Sequence, residues 1–217
     1  MPAPSPVSAR PALTNSPRLD VLRAQSRKPG EASFFYMDNH FRSEAVKVLP
    51  GEFFVHDEDI LIMTTLGSCI AACIWDRDKR VGGMNHFMLP AGSGDSGRYG
   101  SFAMDQLIGE LVKRGATRST MEAKVFGGGA VLEGMNTMNV GARNTQFVME
   151  YLRTERIPVV SKDVMEIYPR KVCFLPASGK AMVKRLAATH AENFIAQDRL
   201  AQQRIATPPS GGTVDLF

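Results

Sequence analysis

Between residues 46 and 186 the chain is cut into short apolar-rich runs of four to nine residues, and only two longer stretches carry the period of a helix. Runs of that length are the size of strands and too short for stable helices. Those at 46–49, 52–56 and 60–64 are separated by Pro50-Gly51 and by the acidic turn Asp57-Glu58-Asp59, both of which punctuate strands. Residues 69–75 are ambiguous, since Ile70, Cys73 and Ile74 suit a helical face while the shortness favours a strand. The polar turn Asp76-Arg77-Asp78-Lys79 with apolar 81–89 beyond it is the pattern of a hairpin. Further strands are expected at 121–126, 157–160, 171–175 and 181–186. At 101–114, Met104, Leu107, Ile108, Leu111 and Val112 share one helical face and Gly115 supplies a stop; a second stripe runs through Phe147, Val148, Tyr151 and Leu152. The mixture predicts an α+β fold, a layered sandwich of mixed sheets with helices covering an outer face.

The 217 residues can bury one sizeable core, and 44% hydrophobic with 22% charged content is ordinary for a globular domain. The formal charge of +4 sits in the first 30 residues, where Arg10, Arg18, Arg23, Arg27 and Lys28 face Asp20 alone, so the remainder has no basic bias and no nucleic-acid partner is implied. Six of the 13 prolines also precede residue 33. Residues 1–32 therefore read as a disordered, basic, proline-rich tail with too little apolar surface to offset ordering. The folded domain is expected over 33–186, and 187–217 as an Ala- and Gln-rich helix with a flexible end. Three cysteines cannot form a fully paired disulfide framework, which fits a reducing cytoplasm. No apolar run approaches the roughly 18 residues of a membrane span and no secretory h-region opens the chain, so the expectation is a cytoplasmic protein without membrane insertion.

The residues able to do chemistry gather at two joints: Thr64-Thr65-Leu66-Gly67-Ser68-Cys69, and Gly82-Gly83-Met84-Asn85-His86, with His86 17 positions after Cys69. A cysteine attacks as thiolate, and a free thiol with a pKa of about 8.5 needs a base or cation beside it. His86 is the candidate base. Gly67 and Ser68 allow a tight turn in which the Cys69 N–H and a neighbouring donor face a developing oxyanion. The imidazole needs an orienting partner; Thr64 and Thr65 are both on the approach to the cysteine, and neighbours on a strand point to opposite faces, so at most one serves. Two other readings compete. Cys69 can be a buried corner residue, or Cys69, Cys73 and His86 can be metal ligands lacking an evident fourth. Cys73 and Cys173 read as packing residues. Gly127-Gly128-Gly129 lacks the Gly-Lys-Ser/Thr ending of a phosphate loop and reads as close backbone packing near the site. Asn139 and Arg143 read as structural, with helix capping for Asn139 and a substrate carboxylate as the alternative contact of Arg143.

These joints closely resemble the CheD family, the chemoreceptor glutamine deamidases of bacterial and archaeal chemotaxis. The resemblance is carried by Leu66-Gly67-Ser68-Cys69, Gly82-Gly83-Met84-Asn85-His86-Phe87-Met88-Leu89-Pro90, Lys124-Val125-Phe126-Gly127-Gly128-Gly129-Ala130 and Asn139-Val140-Gly141-Ala142-Arg143-Asn144, four blocks in order over about 80 residues. A looser likeness runs from roughly residue 45 to 186. The resemblance implies Cys69 as nucleophile, His86 as general base and a threonine just before the cysteine as third catalytic residue, Thr64 with Thr65 as the alternative. It implies a layered α/β fold like that of toxin-type cysteine deamidases and a reaction that needs no metal or organic cofactor. The implied activity converts glutamine side chains of methyl-accepting chemoreceptors to glutamate, releasing ammonia through a Cys69 thioester. The implied partners are the receptors' cytoplasmic helices, with a CheC-type phosphatase as a further candidate. The alternative is a chemotaxis binding module that docks receptors or such a phosphatase, catalysis being secondary. One departure is late: after Asp163 the family commonly has a Gly-rich turn, where this chain reads Val164-Met165-Glu166-Ile167-Tyr168-Pro169-Arg170-Lys171.

Overall fold

The short runs become strands because both of their faces find apolar partners. In the strand Leu61–Leu66, Ile62 and Leu66 point into one core while Leu61 and Met63 belong to another, the alternation of a period-2 element. The computed structural model describes residues 16–90, 96–130 and 137–187. Its strands are β1 Phe34–Asp38, β2 Ser43–Lys47, β3 Phe53–His56, β4 Leu61–Leu66, β5 Ile70–Asp76, β6 Val81–Asn85, β7 Met121–Gly127, β8 Val159–Val164, β9 Arg170–Leu175 and β10 Lys180–Arg185; its α-helices are α1 Pro17–Ala24, α2 Gly100–Lys113 and α3 Thr137–Thr154. They form an α+β arrangement of two five-stranded mixed sheets. The first has the order β3-β6-β5-β7-β8 and the second β1-β2-β4-β9-β10. Residues 69–75 thus resolve as a strand: β5 pairs antiparallel with both β6 and β7, and the hairpin expected across Asp76 to Lys79 is present.

Three apolar layers follow from this order. Helices α2 and α3 cover the outer face of the first sheet, burying Leu107, Leu111, Val148 and Leu152 against Ile70, Ile74 and Phe87. Between the sheets lie Ile62, Leu66, Cys69, Cys73, Met84, Met88, Phe126 and Phe174. On the far side of the second sheet Ala45, Leu61, Met63 and Cys173 form a smaller cluster. At about 25 cal/mol per Å² of apolar surface, the first two layers supply most of the driving force for folding.

The described residues start inside the segment expected to be a tail, and they open on a helix. Ser16 caps α1, its side chain accepting from Leu19 N at 3.2 Å, and Pro17 occupies the first turn, where its missing N–H costs nothing. Leu19 and Leu22, one turn apart, are both buried in the inter-sheet core, and Ala32 is buried with them. The disordered reading of 1–32 is therefore corrected from Ser16 onward: a low apolar average hid two leucines spaced to share one helical face. β1, likewise, had no counterpart in the strands expected. The helix expected within 187–217 falls almost wholly outside the described residues.

Candidate active site

β4 leaves the second sheet at Leu66, and β5 enters the first at Ile70. Gly67, Ser68 and Cys69 are the whole of the corner between the sheets, which explains why two small residues precede the thiol. The corner is strapped from outside. Gly128 N donates to the Cys69 carbonyl at 2.8 Å and Gly129 N to the Gly67 carbonyl at 2.8 Å. Gly127 has φ +112°, and a Cβ there would collide with the Cys69 carbonyl oxygen, so a side chain at this position is incompatible with the strap. The glycine block is thus backbone packing against the cysteine.

Ile70 and Phe87 exchange backbone hydrogen bonds of 3.0 Å, keeping the β5–β6 register two residues beyond the end of β6. Their side chains point to the helix layer, so Cys69 and His86, each one residue earlier, point to the layer between the sheets. Cys69 lies opposite Met88 in that register, which makes His86 its diagonal neighbour on the same face, a separation of about 7 Å on a regular ladder and within reach of two side chains turned toward each other. Both are buried, at 2% and 3% exposure.

The second sheet supplies the third group. Thr64 faces inward from β4 and its Oγ1 lies 2.8 Å from His86 Nδ1; the same hydroxyl donates to the Val48 carbonyl at 2.8 Å. A hydroxyl has one proton. With that proton on Val48 O, Oγ1 accepts from Nδ1–H, so the imidazole is the Nδ1–H tautomer and Nε2 carries the lone pair. Nε2 is buried and has no hydrogen-bond partner among the described residues. Thr65, one residue on, points to the opposite face of β4 and is half-buried.

Burial lowers the His86 pKa from its ordinary 6.5 to about 4, with the nearby Val48 carbonyl opposing the shift. The ring is neutral at pH 7 and able to take a proton. Burial disfavours the thiolate at the other two cysteines, pushing Cys73 well up and lifting Cys173 to about 11. Among the described residues no group of three His, Cys, Asp or Glu side chains is placed to hold a metal ion, so the metal reading of Cys69, Cys73 and His86 has no donor set there.

Three features of the surroundings escape the sequence patterns. Asn144 of α3, fully buried, donates from Nδ2 to the carbonyls of Ser68 at 3.1 Å and Met88 at 2.8 Å. The fully buried Arg170 donates to the carbonyls of Gly127 at 2.7 Å and Met165 at 2.6 Å, with its charge met by Asp163 at 2.8 Å. Where the family commonly has a Gly-rich turn and this chain departs from it, Met165 and Glu166 themselves adopt φ +67° and +65°, and the turn is anchored by Met165 N to Gly127 O at 2.9 Å and Ala130 N to Glu166 O at 2.7 Å. Asn139 falls within α3 rather than at its cap, since the helix begins at Thr137.

A buried thiol at a sheet-to-sheet corner, set diagonally from a neutral imidazole held in one tautomer, carries the groups of a cysteine-dependent hydrolase, a class that spans many substrates. Within that class, this chain belongs to the CheD family. The family model described as CheD chemotactic sensory transduction matches residues 88–185. The chain is 62% identical over 205 residues, 92% of its length and 87% of the relative's, to the protein of Albidiferax ferrireducens named "Probable chemoreceptor glutamine deamidase CheD 1". It is 49% identical over 187 residues, 84% of its length and 93% of the relative's, to the protein of the same name from Dechloromonas aromatica. Among solved structures, the Bacillus licheniformis hypothetical protein YfiH aligns with 53% of this chain and 49% of its own at 11% identity and a TM-score of 0.33, a likeness too slight to bear on function.

Proposed function

We propose that this protein is a chemoreceptor glutamine deamidase in which Cys69 is the nucleophile, His86 the general base and acid, and Thr64 the residue that orients His86. The observation that carries the reading is the double use of the Thr64 hydroxyl, which donates to Val48 O and accepts from His86 Nδ1, leaving Nε2 unprotonated and able to act as a base. His86 Nε2 takes the Cys69 proton as sulfur adds to the carboxamide carbon. The resulting oxyanion collapses, Nε2 returns the proton to the departing nitrogen, and ammonia leaves a thioester on Cys69. Nε2 then takes a proton from water as its oxygen attacks the thioester, and the proton passes to sulfur as the C–S bond breaks. Net, carboxamide and water give carboxylate and ammonium. A neutral resting imidazole suits this cycle, because the first step requires a vacant Nε2.

Each turnover places a new negative charge on a receptor helix, which creates a methyl-accepting carboxylate and changes repulsion between neighbouring helices. The receptor segments concerned lie in the cytoplasm, where we place the protein; among the described residues no helix is long and apolar enough to cross a membrane. A CheC-type phosphatase is the further partner of this reading.

The test is incubation of the full chain with a chemoreceptor cytoplasmic fragment, following glutamine-to-glutamate conversion by intact mass and peptide sequencing. Conversion is expected with the wild type and with Cys73→Ala, and none with Cys69→Ala or His86→Ala. Normal turnover by Cys69→Ala would refute the chemistry.

A further inference from the structure

We infer that Asn144 is a positioning residue for the Cys69–His86 pair, a role that rests on the proposed deamidase chemistry and goes one residue beyond it. The backbone ladder that should hold the Cys69 and His86 segments together is interrupted at the site. Ile70 and Phe87 form an isolated pair, and the next N–H along β5, that of Ala72, is taken by the Asn85 side chain at 3.0 Å instead of by a backbone carbonyl. On the other side of that pair the ladder stops. There the Asn144 amide takes over, with one nitrogen bridging the carbonyl of Ser68, just before the nucleophile, and that of Met88, opposite the nucleophile and two residues past the base.

The geometry fixes the orientation of the amide, since two carbonyl oxygens flank one end and only the NH₂ end can satisfy both. Its Oδ1 is buried with no hydrogen-bond partner among the described residues. An apolar side chain of the same shape would avoid that penalty, so the two donations are what the position requires of asparagine. They also set a direction. No described peptide bond is cis, so a Ser68 carbonyl turned toward Asn144 sends the Cys69 N–H the opposite way, away from α3. Asn144 therefore governs two things at once: the reach of the thiol to Nε2, and the aim of the backbone N–H next to the reacting sulfur.

The experiment compares wild type with Asn144→Ala and the near-isosteric Asn144→Asp in the full chain. It measures kcat and KM on the receptor fragment, the rate at which iodoacetamide modifies Cys69, resolved by peptide mass spectrometry, and the thermal melt. For folded variants we expect kcat to fall about 100-fold, the cost of a misplacement near 1 Å, with KM changing less than about threefold and Cys69 alkylation slowed. A merely structural asparagine gives a different pattern: a lower melting temperature, unchanged kcat per folded molecule, and alkylation speeded by exposure of the thiol. That pattern overturns the inference. If Asn144→Ala does not fold, Asn144→Asp is judged by the same readouts. If the wild type does not deamidate the receptor, the functional reading fails, and the alkylation rate still decides for or against positioning.

Discussion

Replacing Thr64 with valine removes one oxygen and almost no volume, and it keeps the β-branched shape that suits a strand. It strips two buried groups of their partner: the Val48 carbonyl, which accepts at 2.8 Å, and His86 Nδ1–H, which donates over 2.8 Å. Each unmet buried group costs about 1–3 kcal/mol, and the added methyl returns about 0.8 kcal/mol, so for the two groups the net loss is about 1–5 kcal/mol. For a domain of this size that lowers the melting temperature by about 2–20 °C. The catalytic loss is separate. Without an acceptor at Nδ1 the ring has no preferred tautomer, and kcat should fall by at least about 100-fold, within the range attributed to a positioned general base. Thr64→Ser keeps the hydroxyl and should retain most of the activity. Thr65→Val is the internal control, because Thr65 faces the other side of β4; a change within about 0.5 kcal/mol is expected there, with kcat unaltered. Ammonia release, normalised to folded protein by circular dichroism, reads both effects. If Thr64→Val keeps wild-type kcat while its melting temperature drops, the hydroxyl is a packing device and the tautomer argument is wrong.

Three further outcomes follow from the geometry. Because burial depresses His86 from 6.5 to about 4, the fold favours its neutral form; that contribution is complete above pH 6.5 and is lost as pH falls through 4, amounting to about 3 kcal/mol at roughly 1.4 kcal/mol per pKa unit. Urea denaturation between pH 7 and 4 should therefore show a steeper acid loss in wild type than in His86→Leu, and the acid limb of kcat/KM should lie near 4; a limb at 6.5 contradicts the buried neutral ring. Gly127→Ala forces a side chain onto the Cys69 carbonyl at φ +112° and should abolish turnover more completely than it unfolds the chain, which a melt paired with an activity assay checks. Leu19→Ala, at a fully buried position, should cost about 2–4 kcal/mol in a denaturant titration; no effect would mean that α1 does not dock on the core.

The elements that the sequence announced are those whose signal is local. β7, α2 and the β5–β6 hairpin were readable from period, turn residues and a helix stop, and the glycine block from its lack of a phosphate-loop ending. Thr64 could be narrowed to one of two residues by strand alternation, but choosing between them needed to know which face of β4 looks at the first sheet, a property of the packed pair of sheets. Asn144 and Arg170 carry no local signal. Asn144 closes a family block and Arg170 lies in the segment that departs from the family, but neither role is marked locally: each comes from backbone carbonyls 43 to 76 positions away that tertiary structure brings to the side chain. α1 was missed for the opposite reason, since composition averaged over 32 residues diluted two leucines that act as a pair.

The Thr64 hydroxyl comes from a strand of one sheet, the His86 imidazole from just past the end of a strand of the other and the Cys69 thiol from the corner between them, so the site spans the plane along which the two halves of the sandwich would slide. A slip of one residue along a strand is about 3.3 Å, more than enough to part Thr64 from His86. The three groups therefore act as a displacement gauge for the interior: small shifts caused by distant substitutions in the inter-sheet layer will register as lost turnover before they register as lost secondary structure.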